Sequence, residues 1–224
     1  MHKIELETGQ SDRAAQFYQG LSAMLADNPV NPTYEYPAAT AVSGTSSWYA
    51  GTPREPALPE NIPNVVLSSP FATPLMLTMT NIGVGFEALV RGDMDTCRRT
   101  YDALLQHSGK SMLIVAVDRL LGQLAYAIGD IPKAAGHFED ALEFCRKAGY
   151  TPEYTWSCWG FASALLERRE FGDKGRAEVL LSEALETAKD LGMPPLLARV
   201  EELASSIRSE ERRVGKECRS RWSP

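Results

Sequence analysis

The sequence predicts an all-α protein: a solenoid of antiparallel helix pairs, with a Pro-rich irregular segment near the N-terminus. Three observations predict it. One spacing template recurs from four different glycines, and the residues it selects share one helical face. Nine of the 14 prolines crowd into residues 28–74, where the template is silent.

The template runs as follows. From Gly9 it selects Ala14 at +5, Tyr18 at +9 and Leu21 at +12, which predicts a helical region over residues 1–27. From Gly92 it selects Cys97, Tyr101 and Leu104; from Gly129, Ala134, Phe138, Ala141 and Leu142; from Gly172, Ala177, Leu181, Ala184 and Leu185. Steps of 4 and then 3 or 4 keep these positions on one side of a helix of 3.6 residues per turn. A small residue at +5 admits the backbone of the preceding helix, and the bulky residue one turn later fills the space beside it. Each glycine permits the positive φ at which the earlier helix stops. Asp93, Asp130 and Ser11 are placed to cap the helix that follows. Gly149 and Gly192 end the second helices of their units, each with a proline two or three residues on. Gly85 and Gly122 lie inside first helices, a cost of about 1 kcal/mol relative to Ala that close helix approach makes tolerable. These positions set the helical repeat domain at residues 75–207.

The stretch "LLGQLAYAIGDIPKAAGHFEDAL" resembles the tetratricopeptide repeat (TPR), whose period is about 34 residues. The spacings here, 37 and then 43 residues between successive glycines, are longer. With the ending "AEVLLSEALETAKDLGMPPLLARVEEL", they are similar to the repeat region of large bacterial ATPase-type signalling and transcriptional regulators. The resemblance implies a cytoplasmic, bacterial interaction module, a fragment of a longer regulator, binding a protein or peptide. It also implies an alternative, a small-molecule effector held in the concave groove. Carried over by position, the groove would be lined by Ile82, Phe86 and Leu89 in one unit and by Arg119, Gln123 and Tyr126 in the next. Arg119, Gln123 and Tyr126 are able to hydrogen-bond a ligand, whereas Ile82, Phe86 and Leu89 can only pack. An ordinary solvated helix face is the competing reading for Arg119 and Gln123.

Two stretches fall outside the array. Residues 28–74 read as a Pro-rich linker or irregular segment, because no helical period survives longer than a turn. Residues 208–224 carry +3 against −9 on the remainder. They resemble a translated cloning tail of non-native origin, so a disordered tail is expected there.

Composition excludes several functions. Hydrophobic residues make up 44% and charged residues 23%, a globular balance, and net charge is −6. An acidic surface repels phosphate backbones, so no nucleic-acid partner is expected. No apolar run reaches the ~18 residues of a membrane span, and the first residues lack a signal-peptide core. The four cysteines are widely spaced, which favours reduced thiols over a disulfide framework.

Nor does any motif carry catalysis, a metal or a cofactor. "HSGKS" (107–111) ends like a phosphate loop, but Leu104 stands where that motif requires glycine, within a helix. His137 has only Asp140 near it in sequence as a further ligand. Cys97 and Cys145 sit on packing faces, and Cys158 has no base nearby. Trp156 and Trp159, at i and i+3, line one side of a helix. Core packing is their commoner use, with an aromatic anchor for a partner as the alternative. No enzyme activity is expected.

Overall fold

The computed structural model describes residues 2–26, 33–53, 61–112 and 115–221; side chains are described through Ser209, those of His2, Ser11 and Ala26 excepted. It is all-helical apart from one minimal hairpin. In chain order the helices are α1 (His2–Glu7), α2 (Ser11–Ala26), α3 (Glu35–Ala50), α4 (Asn61–Leu67), α5 (Pro74–Arg91) and α6 (Met94–Leu104). After a 3₁₀ turn come α7 (Val117–Ala127), α8 (Ile131–Ala148), α9 (Thr151–Arg168), α10 (Asp173–Asp190) and α11 (Pro194–Arg221). Two-residue strands β1 (Ser111–Met112) and β2 (Val115–Ala116) pair antiparallel between the 3₁₀ turn and α7, a correction to the expectation of helices alone.

Local chemistry places the helix ends where the template predicts them. Asp93 accepts the Thr96 N–H and Asp130 the Lys133 N–H, each at the start of a helix. Gly92, Gly129 and Gly149 take positive φ at the ends of the helices before them. In the last unit the helix stops one turn earlier than the glycine suggests. Arg169 adopts φ 57° as the cap of α9, and Gly172 instead precedes α10.

From α5 onward each helix packs on the next, and α5 with α7, α7 with α9, and α9 with α11 also touch. The template residues are buried in these contacts and, for Ala14 and Tyr18, in those of α2. Ala14, Cys97, Ala134 and Ala177 at +5 are wholly buried, and Tyr18, Tyr101, Phe138 and Leu181 at +9 are buried beside them. Gly122 has the role predicted for it, and Gly160, which the template did not single out, shares it. A Cβ on Gly122 or on Gly160 would strike the Phe138 ring, so one phenyl wedge holds α7, α8 and α9 at close range.

The Pro-rich stretch is corrected. Within 28–74, residues 35–50 and 61–67 are helical, and the irregular reading fails there; residues 28–32 and 54–60 lie outside the described ones. α3 escapes detection because it carries no apolar stripe. It packs on α5 through small residues: a Cβ on Gly44 would overlap the Gly83 carbonyl, and one on Gly83 the Thr40 carbonyl. Thr40 and Thr45 donate to the Tyr36 and Ala41 carbonyls of the same helix, and the Ser43 hydroxyl lies 3.1 Å from that of Tyr18 in α2. Pro37 is in the first turn, where its missing N–H costs nothing. α4 adds Ile62 and Val66 to a second core cluster with Leu25, Tyr36, Ala39 and Met76.

This contact makes a matched pair of substitutions informative. Gly83→Ala is expected to destabilise by about 1–3 kcal/mol, because backbone on both sides must move. Gly136→Ala, in an exposed helix interior with open space around it, is expected to stabilise by about 0.5–1 kcal/mol. Urea midpoints measure both; equal effects would mean that α3 and α5 do not meet at Gly83.

The tail is corrected in its backbone only. α11 continues as helix to Arg221 instead of ending near residue 208, and the side chains beyond Ser209 lie outside the described ones.

Candidate functional site

The residues expected to line an open groove do converge, but in the interior. Ile82, Phe86, Arg119 and Trp156 are wholly buried and Gln123 nearly so; Leu89 and Trp159 are half-buried, and only Tyr126 is exposed. The expectation of an open groove is therefore corrected for four of its six residues, Ile82, Phe86, Arg119 and Gln123, whereas the burial of Trp156 is the core packing given as its commoner use. What covers them is the chain itself. α3 lies along α5, and α1 reaches both α3 and α11.

At the centre is an ion cluster. Arg119 in the first turn of α7 meets Glu153 in the first turn of α9, with Nε to Oε2 at 2.7 Å and Nη2 to Oε1 at 3.1 Å. The hairpin strand β2 supplies the Ala116 N–H to Oε2 at 2.9 Å. From α1, Lys3 Nζ donates to Oε1 at 2.8 Å and lies 3.4 Å from Glu7. Glu153 thus collects two cations, a backbone donor and the favourable end of a helix dipole. Burial alone would raise its pKa; Arg119 and Lys3 reverse this and hold the carboxyl down at about 2. Burial wins instead at Glu7, whose pKa is raised despite Lys3.

An aromatic layer covers this cluster. Trp48 of α3 stands 5.8 Å from Phe86 and 6.3 Å from Trp159, and Tyr49 meets Trp156 edge-on at 5.2 Å. The Arg199 guanidinium from α11 sits over Trp48, Trp156 and Trp159 at 4.8–5.4 Å and donates to the Trp48 carbonyl. Burial and then the like charge of Arg119 lower its pKa. Lys3, Trp48, Tyr49, Glu153 and Arg199 were not expected in the site. Those on α1 and α3 lie outside the array's spacing, and nothing local marks Glu153 as buried.

A second polar chain joins three elements. Tyr101 hydroxyl lies 2.9 Å from His137 Nε2, and His137 Nδ1 lies 3.0 Å from Asp118 Oδ1. Asp118 also accepts the Ser108 hydroxyl and the Gly109 N–H. The "HSGKS" turn therefore presents its donors to a carboxylate of the same chain. Its His107 Nε2 lies 3.0 Å from the Thr78 hydroxyl of α5. Asp118, His137 and Asp140 could bring ligand atoms within 4.8 Å of one another, but both ring nitrogens of His137 already have partners. Cys97, Cys145 and Cys158 are free and buried, and burial pushes their thiols up to about 11, 12 and 12. Thiols so placed are poor nucleophiles.

An open concavity lies elsewhere. A crevice of about 520 Å³ separates α3 and α4 from α5 and α6, lined among others by Ser43, Leu67, Asn81, Glu87, Arg91 and Arg99. Gly44 and Gly83, where α3 and α5 meet, lie in its wall, and Pro63, Asn64 and Leu67 of α4 line it as well.

No family model matches the chain, and neither curated proteins nor solved structures include a match to it. Among the described residues, no helix is long and apolar enough to cross a membrane.

Proposed function

We propose that the chain is a TPR-like helical-repeat module that recognises a protein partner without chemistry, as part of a bacterial signalling or transcriptional regulator. The sequential packing of α5 to α11, with α5, α7 and α9 side by side, supports a solenoid. One observation carries the recognition reading. Lys3 of α1 is buried against Glu153 on the face that the array would offer a partner. Glu153 keeps both Arg119 hydrogen bonds and the Ala116 N–H without it. Lys3 therefore acts as a removable third partner, and a basic side chain of another protein would find the same carboxylate, flanked by the Tyr49 and Tyr150 rings that now lie 5.9 and 5.4 Å from Lys3.

A photo-reactive residue at position 150, introduced with and without residues 1–10, tests this reading. A defined protein adduct that strengthens when α1 is removed supports it. The same weak labelling in both forms, with α1-deleted protein folded by circular dichroism, removes it. A second reading, an effector-binding module, is favoured by the crevice beside α5 and α6.

A further inference from the structure

We propose that this crevice binds a small zwitterion of amino-acid type, its carboxylate held by Arg99 and Arg91 and its ammonium by Glu87. The site is distinct from the Glu153 face, so each reading can fail alone.

The charges decide the ligand class. Arg99 donates to the Thr96 hydroxyl at 2.8 Å and has no carboxylate partner among the described residues. Asp93 is near enough to feel its charge but is committed to Thr96, taking both its N–H and its hydroxyl at 3.0 and 2.7 Å. A guanidinium therefore stands at the crevice with fork donors to spare, a geometry suited to carboxylate. Arg91 spends its Nε on Glu87 Oε1 at 2.7 Å, leaving its two terminal nitrogens.

Glu87 supplies the opposite pole. Its Oε2 is buried and has no donor, an unfavourable state for a carboxylate oxygen. An ammonium entering beside it satisfies that oxygen without displacing Arg91. Glu87 and Arg91 thus sit on adjacent turns of α5, with Arg99 on α6, the carboxylate demanding a donor and Arg99 an acceptor. A simple anion answers only half of this demand, and so does a simple amine.

The remaining lining fits a side chain. Val84, Ala88, Pro63 and Leu67 are apolar, while Asn81 donates to the Leu77 carbonyl and so presents its own carbonyl oxygen. Ligand pockets commonly measure ~300–1,000 Å³, mostly apolar with a few convergent polar groups. At about 520 Å³ the crevice has room for an amino acid or a dipeptide.

The test uses the full chain, with thermal shift and titration calorimetry against the common L-amino acids and glycyl dipeptides. Acetate and methylamine serve as half-ligand probes. One or a few zwitterions are expected to raise Tm in a saturable way, with acetate and methylamine inert at the same concentration. Glu87→Gln and Arg99→Ala are each expected to weaken binding about ten-fold or more. Lys147→Ala, on the exposed face of α8, should bind as the parent does. Glu87 and Arg99 are at or near the surface, so unliganded melting of both variants checks that they fold. If no zwitterion shifts Tm, if acetate alone shifts it equally, or if both variants bind like the parent, the proposal is overturned.

Discussion

Replacing Glu153 by alanine is expected to destabilise the protein by about 3–5 kcal/mol, since it leaves buried Arg119 without its carboxylate and Lys3 without its nearest one. The whole pair is not the source of that magnitude, because a buried ion pair gains little over packed apolar groups. The cost lies in the charge left behind. Replacing both Arg119 and Glu153 by methionine should therefore cost much less than Glu153→Ala alone. The pH dependence has a definite sign. The folded Glu153 carboxyl titrates near 2, below its usual 4.5, so its contribution is fully present above about pH 4.5 and is lost as pH falls toward 2. Glu7 acts the other way: its raised pKa means that protonation in the folded state offsets part of the loss. Urea unfolding of parent and Glu153→Ala from pH 7 to pH 3 measures both effects. The two curves should converge on acidification; parallel curves would mean that Glu153 is not ionised in the fold.

The array was legible because it obeys a helical period. Gly92, Gly129, Cys97, Ala134 and Phe138 could be placed from spacing alone, since a small residue at +5 and a bulky one at +9 state both which face is buried and how close the neighbour comes. α3 was illegible for the opposite physical reason. A helix that packs by backbone contact at Gly44 needs no apolar stripe, and its alanines, serines and threonines resemble those of a loop. The candidate groove failed at the same place. The positions carried over from the repeat resemblance named Phe86, Arg119 and Gln123, which do meet, yet the helices that lie over them are α1, before the first template glycine, and α3, from the stretch without a period. Arg119 illustrates the difficulty, because an arginine on a first helix reads as solvated until Glu153, 34 residues later, is brought against it. The crevice is a further step removed. Its lining comes from four helices, α3 to α6, and no single segment of the sequence carries a motif for it.

Ala134→Glu, compared with Lys133→Glu, tests the helical register on which the array rests. Ala134 is fully buried between α8 and its neighbours, with Phe138 one turn on, wedged against Gly122 and Gly160. The longer side chain must push that wedge or the α7 backbone aside, a strain of about 1–3 kcal/mol. Its carboxylate has no cation waiting, which adds about 1–3 kcal/mol for an unsatisfied buried group. In an array held by nearest-neighbour contacts the loss spreads, because α7 and α9 both rest on the face that moves. Lys133 changes charge by more and position by one residue. It is 61% exposed, pairs with Asp130 across the surface and lies 5.9 Å from the Tyr101 ring, weak contacts whose loss should shift the midpoint little. The expected result is a urea midpoint far below the parent for Ala134→Glu and one near the parent for Lys133→Glu. Equal losses would place the two residues on equivalent faces and remove the register, and with it the template that assigns the helix pairs.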